Sequence, residues 1–433
     1  MWYGLFDAQR RAARALAGKS RNASPIEGPQ QTLWNFHKDG ANAFSQWLLR
    51  TSCAYDHAPP FAIRSVCRHG RQLEVVETSV ETLPVGTLRK FTCRRGAAEP
   101  AESWPVMLCA PLAGHHAVML RETVETLLEE RDVFITDWAD ARDVPPEAGP
   151  LSLDDYVLAL EHFICTAARA GDPLHIMAVC QATVPVVAAA ALLLASSQAS
   201  PLASVSLLGG PIDTRVQPTL IDRFARSHPL DWFRRNVIDV VPAPYRGAGR
   251  RVYPGFVQQA AIIAAHPERQ LRLESAYWSN WFTGNMADAM RALRSLNEYA
   301  AVLDMAECYF LDIIRVVFHE YLLPRQMWSV AGRRVATQAL RHTPLCTVEG
   351  DSDDIAGPGQ THCAHALCRP IPLRSDAQLT VSQCNHYDLF TGSRWRDLVH
   401  PELCQFWHRA QRDALAAACM TEYARQANDG RHA

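Results

Sequence analysis

Cys180 lies at an abrupt junction between two apolar stretches of the sequence. Leu174–Val179 is a short run of mostly apolar residues, too short for a helix and typical of a buried strand. The stretch that begins at Ala182 is rich in alanine and leucine and has Pro185 in its first turn, where a helix tolerates proline. A strand, a sharp turn with one nucleophilic side chain, and a helix together form a nucleophile elbow. The sequence therefore predicts that Cys180 is a nucleophile, its thiolate favoured by the helix N-terminus and a nearby histidine.

A buried structural cysteine is the alternative, because that is the commoner fate of a lone cysteine. The glycines of the usual G-x-S-x-G pattern are also missing, since Ala178 and Ala182 stand in their places. Alanine can serve where glycine is needed only to relieve crowding. Cys180 also stands at the only strand-to-helix junction of this type in the sequence, which favours the nucleophile.

A cysteine nucleophile needs an acid and a histidine base, which follow it along the chain in this architecture. The acid is expected in the loop after a late strand, where the carboxyl groups are Asp351, Asp353 and Asp354. The spacing from Gly350 favours Asp353, with Asp354 its nearest rival, and one of the three carboxylates is a candidate helix cap instead. The base is expected just past the last strand, which indicates His386. Its Nδ1–H would donate to the carboxylate while Nε2 takes the thiol proton.

Two backbone N–H groups are needed to hold the developing oxyanion. Gln181, directly after the nucleophile, supplies one of them. The loop after the strand that begins at Val106 supplies the other, from Leu112 or Ala113, because small residues let the backbone approach a substrate closely. The neighbouring histidines are expected to hold this loop rather than to react.

Three changes of pattern along the chain predict the fold. Residues 63–93 alternate as antiparallel strands do. From Val106 onward strands alternate with helices, which implies a parallel sheet covered on both faces. The alternation stops between residues 214 and 338, where aromatic-rich helical segments appear, and then resumes. The predicted class is α/β: an α/β-hydrolase fold with a mostly parallel central sheet and a helical lid inserted over the C-terminal strand edges.

The same pattern predicts the domain boundaries. Residues 1–60 are an N-terminal helical segment, with helix-like stretches over 6–16 and 41–55. Residues 61–213 and 339–433 form the α/β core, and residues 214–338 form the lid. In the lid, most of the aromatic side chains are expected to form its own core, and some to line a substrate groove; the candidates for substrate binding are Trp278, Trp281 and Phe282.

Composition excludes several classes of function. The chain of 433 residues has 43 basic and 45 acidic residues, so it lacks the electrostatic footprint of a nucleic-acid-binding protein. It shows no secretory signal and no apolar stretch of about 18 residues, so no transmembrane segment is expected. Thirteen cysteines without framework spacing indicate a reducing, cytoplasmic location. The segment 362–368 contains His362, Cys363, His365 and Cys368, but this spacing on one helix matches no usual zinc site, so no metal is expected.

Seven strings along the chain carry a resemblance to a known family: APLAGHHAVMLRETVETLL, VFITDWADARDVP, LDDYV, MAVCQATVPVVAAAAL, YFLDIIRVVFHEYLLP, TVEGDSDDIAGPGQT and NHYDLFTGSRWR. In these strings the chain resembles the intracellular polyhydroxyalkanoate depolymerases, and the resemblance covers most of its length. The family usually has proline where this chain has Ala182, and serine where it has Ala113.

This resemblance implies a Cys-Asp-His triad made of Cys180, Asp353 and His386. It implies cleavage of ester bonds in amorphous poly(3-hydroxybutyrate) of storage granules, without a cofactor. The implied partner is the granule polymer, with CoA as an alternative acyl acceptor to water. Attachment to the granule is expected through residues 1–16 or the aromatic lid. The sequence leaves the oligomeric state open, and a homodimer is one of the states it allows.

Two other functions stay open at this point. A polyhydroxyalkanoate synthase uses the same triad, but synthases keep Gly-x-Cys-x-Gly and are typically longer. The third alternative is a granule-associated protein that keeps the fold but is catalytically weak or inactive. The complete triad argues against it.

Overall fold

A nine-stranded sheet runs through the centre of the computed structural model, which describes residues 2–21, 58–94, 103–168, 173–196, 202–265, 267–369 and 371–429. Its strands are β1 (Ser65–Arg68), β2 (Arg71–Leu83), β3 (Gly86–Cys93), β4 (Val106–Cys109), β5 (Val133–Trp138), β6 (Leu174–Val179), β7 (Leu202–Leu208), β13 (Leu345–Gly350) and β14 (Ala377–Val381).

The strands follow the spatial order β1-β2-β3-β5-β4-β6-β7-β13-β14. The pairs β1–β2, β2–β3 and β3–β5 are antiparallel. Every pair from β5 through β4, β6, β7 and β13 to β14 is parallel. The prediction of an α/β-hydrolase fold with a mostly parallel sheet is confirmed.

Helices cover both faces of the sheet, as the side-chain alternation of β4 shows. Met107 and Cys109 pack into the apolar cluster that contains the buried side of the helix carrying Val187. Val106 and Leu108 point the other way, into the cluster that contains Phe406. Because successive side chains of a strand point to opposite faces, an all-apolar strand such as this one requires cover on both sides.

The bounds of the α-helices are α1 (Trp2–Arg21), α2 (Arg121–Leu128), α3 (Leu153–Ala168), α4 (Thr183–Ala195), α5 (Leu220–Ser227), α6 (Leu230–Asn236), α7 (Gly255–Ala265), α8 (Pro267–Phe282), α9 (Met286–Ala300), α10 (Glu307–Ile313), α11 (Ala364–Cys368), α12 (Gly392–Arg394) and α13 (His400–Asp429). Helix α4 is buried all round from Thr183 to Leu193, which its uniformly apolar sequence requires. The helix predicted over 41–55 lies outside the described residues.

The segment between β7 and β13 contains α5 to α10, as the prediction of a helical lid requires. It also contains short strands that the sequence analysis did not predict, because strands of two or three residues show no alternation. These are β8 (Asp239–Val240), β9 (Arg251–Tyr253) and β10 (Met305–Ala306), which form one sheet, and the hairpin β11 (Ser329–Val330) and β12 (Arg333–Arg334). The domain boundaries remain a prediction.

Helix α1 is held against the lid by buried polar and aromatic contacts. The Tyr3 hydroxyl donates to Asp304 Oδ2 at 2.5 Å, and the Gly255 N–H at the start of α7 donates to Asp304 Oδ1 at 2.8 Å. Phe6 stacks on Phe256 of α7, with ring centroids 4.1 Å apart. One buried carboxyl group therefore joins the N-terminal helix to the first turn of a lid helix.

We expect this junction to make the stability of the protein depend on pH. Burial and the neighbouring Asp140 raise the pKa of Asp304 to about 7. Since the folded state holds this proton more tightly than the unfolded state, the stabilisation is complete at acid pH and is lost as pH rises through about 7. Wild-type protein should lose on the order of 2 kcal/mol of its free energy of unfolding between pH 5 and 8, measured by urea unfolding.

The variant Asp304→Asn separates this effect from a loss of packing. Its amide oxygen can accept from only one of the two donors, so the variant should be less stable than the wild type at acid pH, where Asp304 is protonated. Its stability should nevertheless change less between pH 5 and 8, because the amide does not titrate. Glu147→Gln, at an exposed position, is the control that should keep the wild-type pH dependence. An unchanged pH dependence in Asp304→Asn would show that this carboxyl is not the titrating group.

Candidate active site

Cys180 lies at the turn between β6 and α4, in a strained backbone conformation. Its φ is +55°, a left-handed value that is uncommon for a residue with a side chain. A single 3-10 turn, Cys180–Ala182, leads into the helix, and the Thr183 hydroxyl closes the turn by donating to the Cys180 carbonyl at 2.8 Å. Strain at a sharp strand-to-helix turn is the signature of a nucleophile elbow. The side chain of Cys180 is half-buried and lines a cavity.

His386 and Asp353 form a buried pair beside this cysteine. His386 Nδ1 lies 2.8 Å from Asp353 Oδ2, and the two side chains are 3% and 0% exposed. The other carboxylate oxygen of Asp353 accepts from the backbone N–H groups of Ile355 and Ala356, each at 2.9 Å. These bonds hold the carboxylate in place, and a carboxylate acceptor requires the proton on Nδ1, which leaves Nε2 for the thiol. The neighbouring Asp354 is exposed, so the geometry places Asp353 beside the histidine.

The electrostatics of His386 agree with a role as the base. Burial by itself would lower the pKa of its imidazole, but the Asp353 carboxylate and Cys180, which is within hydrogen-bonding reach, outweigh burial. The net result is a pKa raised well above the ordinary value of histidine. A histidine of this kind readily takes and keeps the proton of a thiol. The structure thus brings together the three side chains predicted as a triad.

Gly209 supports this pair, and the sequence analysis did not identify it. It follows β7 with a φ of +55°. A Cβ atom there would lie 2.9 Å from Leu389 Cδ1, 3.2 Å from His386 Cε1 and 3.3 Å from Asp353 Oδ2. Any larger residue would therefore press on both His386 and Asp353. The Gly-Gly pair that ends the β7 segment is the sequence signal that indicates such a close approach.

Two of the three residues predicted to supply oxyanion N–H groups line the same cavity. Ala113 and Gln181 both line it, together with Cys180, whereas the side chain of Leu112 is buried in the core. The Gln181 side-chain oxygen accepts from the hydroxyl of Tyr309 in α10 at 3.0 Å. This bond ties the elbow directly to the lid, and Tyr309 is a second residue of the site that sequence reasoning missed.

His115 lines the cavity without being a competing base. Its ring is 5.2 Å from that of Tyr299 and 6.4 Å from that of Tyr387. Burial, and then the charge of Arg269, lower the pKa of His115 to about 3. It is therefore a far weaker base than His386. Its backbone pairs with Val302 next to the lid helix α9, which fits the prediction that the histidines hold this loop.

The cavity has a volume of about 290 Å³, and its lining is mostly apolar, with Cys180, His386 and a few other polar side chains such as Gln258. The core contributes residues from the oxyanion loop, the elbow and the loops after β13 and β14. The lid contributes Tyr253, Gln258, Ala261, Ile262, Phe310, Ile314, Val317 and Phe318. Such a lining suits a substrate that is itself uncharged and largely apolar.

The three aromatic residues predicted to bind substrate lie elsewhere. Trp278 and Trp281 pack between α8 and α9 in a separate apolar cluster, and Phe282 is 72% exposed. The indole N–H of Trp278 donates to Glu274 at 3.1 Å. None of the three is among the residues that line the catalytic cavity, so their role in substrate binding remains a prediction.

The histidines of the segment 362–368 are used structurally in this fold. His362 Nδ1 lies 2.7 Å from the Thr347 hydroxyl of β13, and His365 Nε2 lies 3.0 Å from the same oxygen. Within the described ranges, no three His, Cys, Asp or Glu side chains are grouped as metal ligands. The helices of the described part include none that is both long and apolar enough to cross a membrane.

Comparison with known proteins gives a family match. Residues 209–411 match the family model described as PHB de-polymerase C-terminus. No curated protein matches the chain. Among solved structures, an α/β hydrolase from Penicillium sp. sh18 is 11% identical, covering 78% of this chain and 99% of its own, with a TM-score of 0.45. A 2-hydroxy-6-oxo-6-phenylhexa-2,4-dienoate hydrolase from Rhodococcus sp. strain RHA1 is 15% identical, with the same coverage and a TM-score of 0.39. A monoacylglycerol lipase from Paleococcus ferrophilus is 10% identical, covering 78% and 100%, with a TM-score of 0.40.

Proposed function

We propose that this protein hydrolyses the ester bonds of amorphous poly(3-hydroxyalkanoate), the principal substrate being poly(3-hydroxybutyrate), and the match of residues 209–411 to the family model described as PHB de-polymerase C-terminus supports this proposal. The observation that carries the proposal is the buried His386–Asp353 pair, 2.8 Å apart, on the cavity that Cys180 lines from its elbow. Nucleophile, base and orienting acid are the parts that covalent ester hydrolysis requires.

The first half of the reaction forms a thioester. His386 Nε2 takes the proton of Cys180, and the thiolate attacks the carbonyl carbon of the ester. The carbonyl oxygen becomes an oxyanion, which accepts hydrogen bonds from the N–H of Gln181 and from an N–H of Leu112 or Ala113. When the oxyanion collapses, the ester C–O bond breaks and the leaving alkoxide takes the proton from His386. An acyl group then remains on Cys180, and a hydroxyl-ended chain is released.

The second half of the reaction hydrolyses the thioester and regenerates the free enzyme. His386 removes a proton from water, whose oxygen attacks the thioester carbonyl. The C–S bond breaks, the Cys180 sulfur regains its proton from His386, and a carboxylic acid is released. Asp353 keeps the imidazole in one tautomer and stabilises its charged form in both halves. The balance is one ester and one water consumed, and one acid and one alcohol formed.

The lining of the cavity supports a polyester as substrate. The repeat unit of poly(3-hydroxybutyrate) carries a methyl group and an ester but no charge. Burying it against Ile262, Phe310 and Phe318 therefore leaves no unpaired charge. Such a polymer accumulates as granules, so the proposed location is the granule surface in the cytoplasm. In helix α1, Tyr3 is buried and the half-buried Phe6 stacks on Phe256, and attachment to the granule through residues 1–16 stays a prediction.

Titration of acid release at constant pH tests the proposed function. Wild-type protein is incubated with amorphous poly(3-hydroxybutyrate) granules, with and without CoA, and Cys180→Ala is the control. Steady acid release without CoA, absent in the control, is the expected result. Hydrolysis of a soluble ester without acid release from granules would contradict the polymer substrate. Release of CoA from 3-hydroxybutyryl-CoA with growth of polymer would instead indicate a synthase.

A further inference from the structure

A second apolar cavity adjoins the catalytic one on the lid side. Both cavities are lined by Ile221, Ile262, Phe310 and Phe318, so these side chains form a common boundary. The second cavity then extends outward between α5 and α7, where Phe224 and Ala265 line it. No charged side chain is among the residues that line it in the part of the chain that the structure describes. The apolar lining of the catalytic cavity thus continues into a second cavity, whose lining includes exposed side chains of α5.

Helix α5 contributes to the lining of the second cavity and has an exposed apolar face. Leu220 is 77% exposed, Phe224 49% and Ile221 41%. The positions i, i+1 and i+4 lie on one side of a helix, so the three side chains form one patch. Exposed apolar side chains that are grouped in this way mark a surface that meets another molecule.

The exposed face of α5 is held rigidly rather than being a frayed turn. Thr219 and Asp222 form a reciprocal capping box at the start of the helix. Asp222 is buried and its carboxylate also accepts from the Gln360 side chain at 2.7 Å. On the inner side, Ala225 packs beside Phe233, Leu311 and Ile314. The protein therefore fixes an apolar face outward at a cost in solvation, which a binding function explains.

We propose that α5 and the second cavity form the entrance through which a polyester chain reaches Cys180. The inference rests on the proposed function and adds where the polymer binds. The occupant is a segment of amorphous polyester, because the second cavity shares its apolar lining with the catalytic cavity and that lining suits an uncharged chain. Leu220 and Phe224 contact the polymer surface, and the second cavity holds the repeat units on one side of the bond that is cleaved.

A negative charge at Leu220 or Phe224, the two residues that we call the mouth of the entrance, tests this proposal. The variants are Leu220→Asp and Phe224→Asp, and the matched control is Ile371→Asp, because Ile371 is as exposed as Leu220, at 77%. Each protein is assayed on amorphous poly(3-hydroxybutyrate) granules and on p-nitrophenyl butyrate, a soluble ester. The ratio of granule activity to soluble-ester activity should fall at least about tenfold in both variants, since each loses apolar contact with the polymer. The ratio should stay at the wild-type value in Ile371→Asp.

The outcomes separate this inference from the proposed function. Wild-type protein that cleaves the soluble ester but not the granules contradicts the proposed function. Wild-type protein that cleaves granules, with both mouth variants behaving like Ile371→Asp, overturns the entrance alone. Since Leu220 is mostly exposed, its substitution removes little packing, and circular dichroism shows independently of activity whether each variant is folded.

A binding measurement tests the identity of the occupant. The Cys180→Ala protein should sediment with amorphous granules, and the double variant Cys180→Ala/Leu220→Asp should stay in the supernatant. Sedimentation of both proteins with granules would overturn the proposal. So would preferential sedimentation with phosphatidylcholine vesicles, or a dimer in solution that Leu220→Asp dissociates, because the patch would then serve a lipid or a second copy of the chain.

Discussion

Replacement of Cys180 by alanine is expected to reduce ester hydrolysis by at least about three to four orders of magnitude. The reason is that the thioester cannot form, and the oxyanion groups alone accelerate attack by water only weakly. The loss should appear in kcat, since the cavity lining that binds substrate is unchanged. It is measured with p-nitrophenyl butyrate and with amorphous polymer.

A second half-buried thiol provides the control for this result. Cys165 lies in α3 and is partly exposed, as Cys180 is, but it is not among the residues of the cavity. Cys165→Ala should retain activity within about twofold, as expected for a surface substitution away from the site. Activity of Cys180→Ala within a few-fold of wild type would mean that another group is the nucleophile.

Replacement of Asp353 by asparagine is expected to lower kcat by about three to four orders of magnitude. The amide can donate to Nδ1 of His386, which leaves the proton on Nε2, where it blocks deprotonation of the thiol. The substitution also removes the negative charge that raises the pKa of His386. On the alkaline side of the pH profile, the residual activity should therefore begin to fall at a lower pH than the activity of the wild type, because the imidazolium of His386 gives up its proton more readily.

Asp354→Asn is the matched control, because Asp354 is the exposed neighbour of the buried acid. It should keep wild-type activity and the wild-type pH profile. The asparagine at position 353 can still accept from the N–H groups of Ile355 and Ala356, so the loop is expected to fold normally. If Asp354→Asn, and not Asp353→Asn, removes activity, the acid of the triad has been assigned to the wrong residue.

The central sheet could be predicted because its signals are local. The strands β4, β6 and β13 are buried along their whole length, and the mostly apolar sequences of β4 and β6 are typical of strands that are covered on both faces. Chain order then places the loops after β6, β13 and β14 at one edge of the sheet, since the carboxyl ends of parallel strands meet there. Cys180, Asp353 and His386 could be selected for that reason, before any distance between them was known.

The lid could be predicted only in outline, because its packing depends on contacts between distant parts of the chain. The spacing of Trp278 and Trp281 in the sequence is compatible both with a substrate groove and with packing between two helices. In the structure they pack between α8 and α9. No motif in the sequence around Tyr309 indicates a role in the site. Its hydroxyl nevertheless donates to the side chain of Gln181, which is 128 positions away in the sequence. Gly209 likewise shows its importance only when β7, His386 and Asp353 are placed side by side.

Identification of the acylated residue tests the central claim most directly. The protein is mixed with p-nitrophenyl butyrate under conditions that give a burst of p-nitrophenol, quenched in acid, and digested for mass spectrometry. Formation of a thioester intermediate predicts a butyryl group on the peptide that contains Cys180, removed by hydroxylamine and absent from Cys180→Ala. A burst with the butyryl group on any other residue would contradict the assignment of Cys180 as the nucleophile.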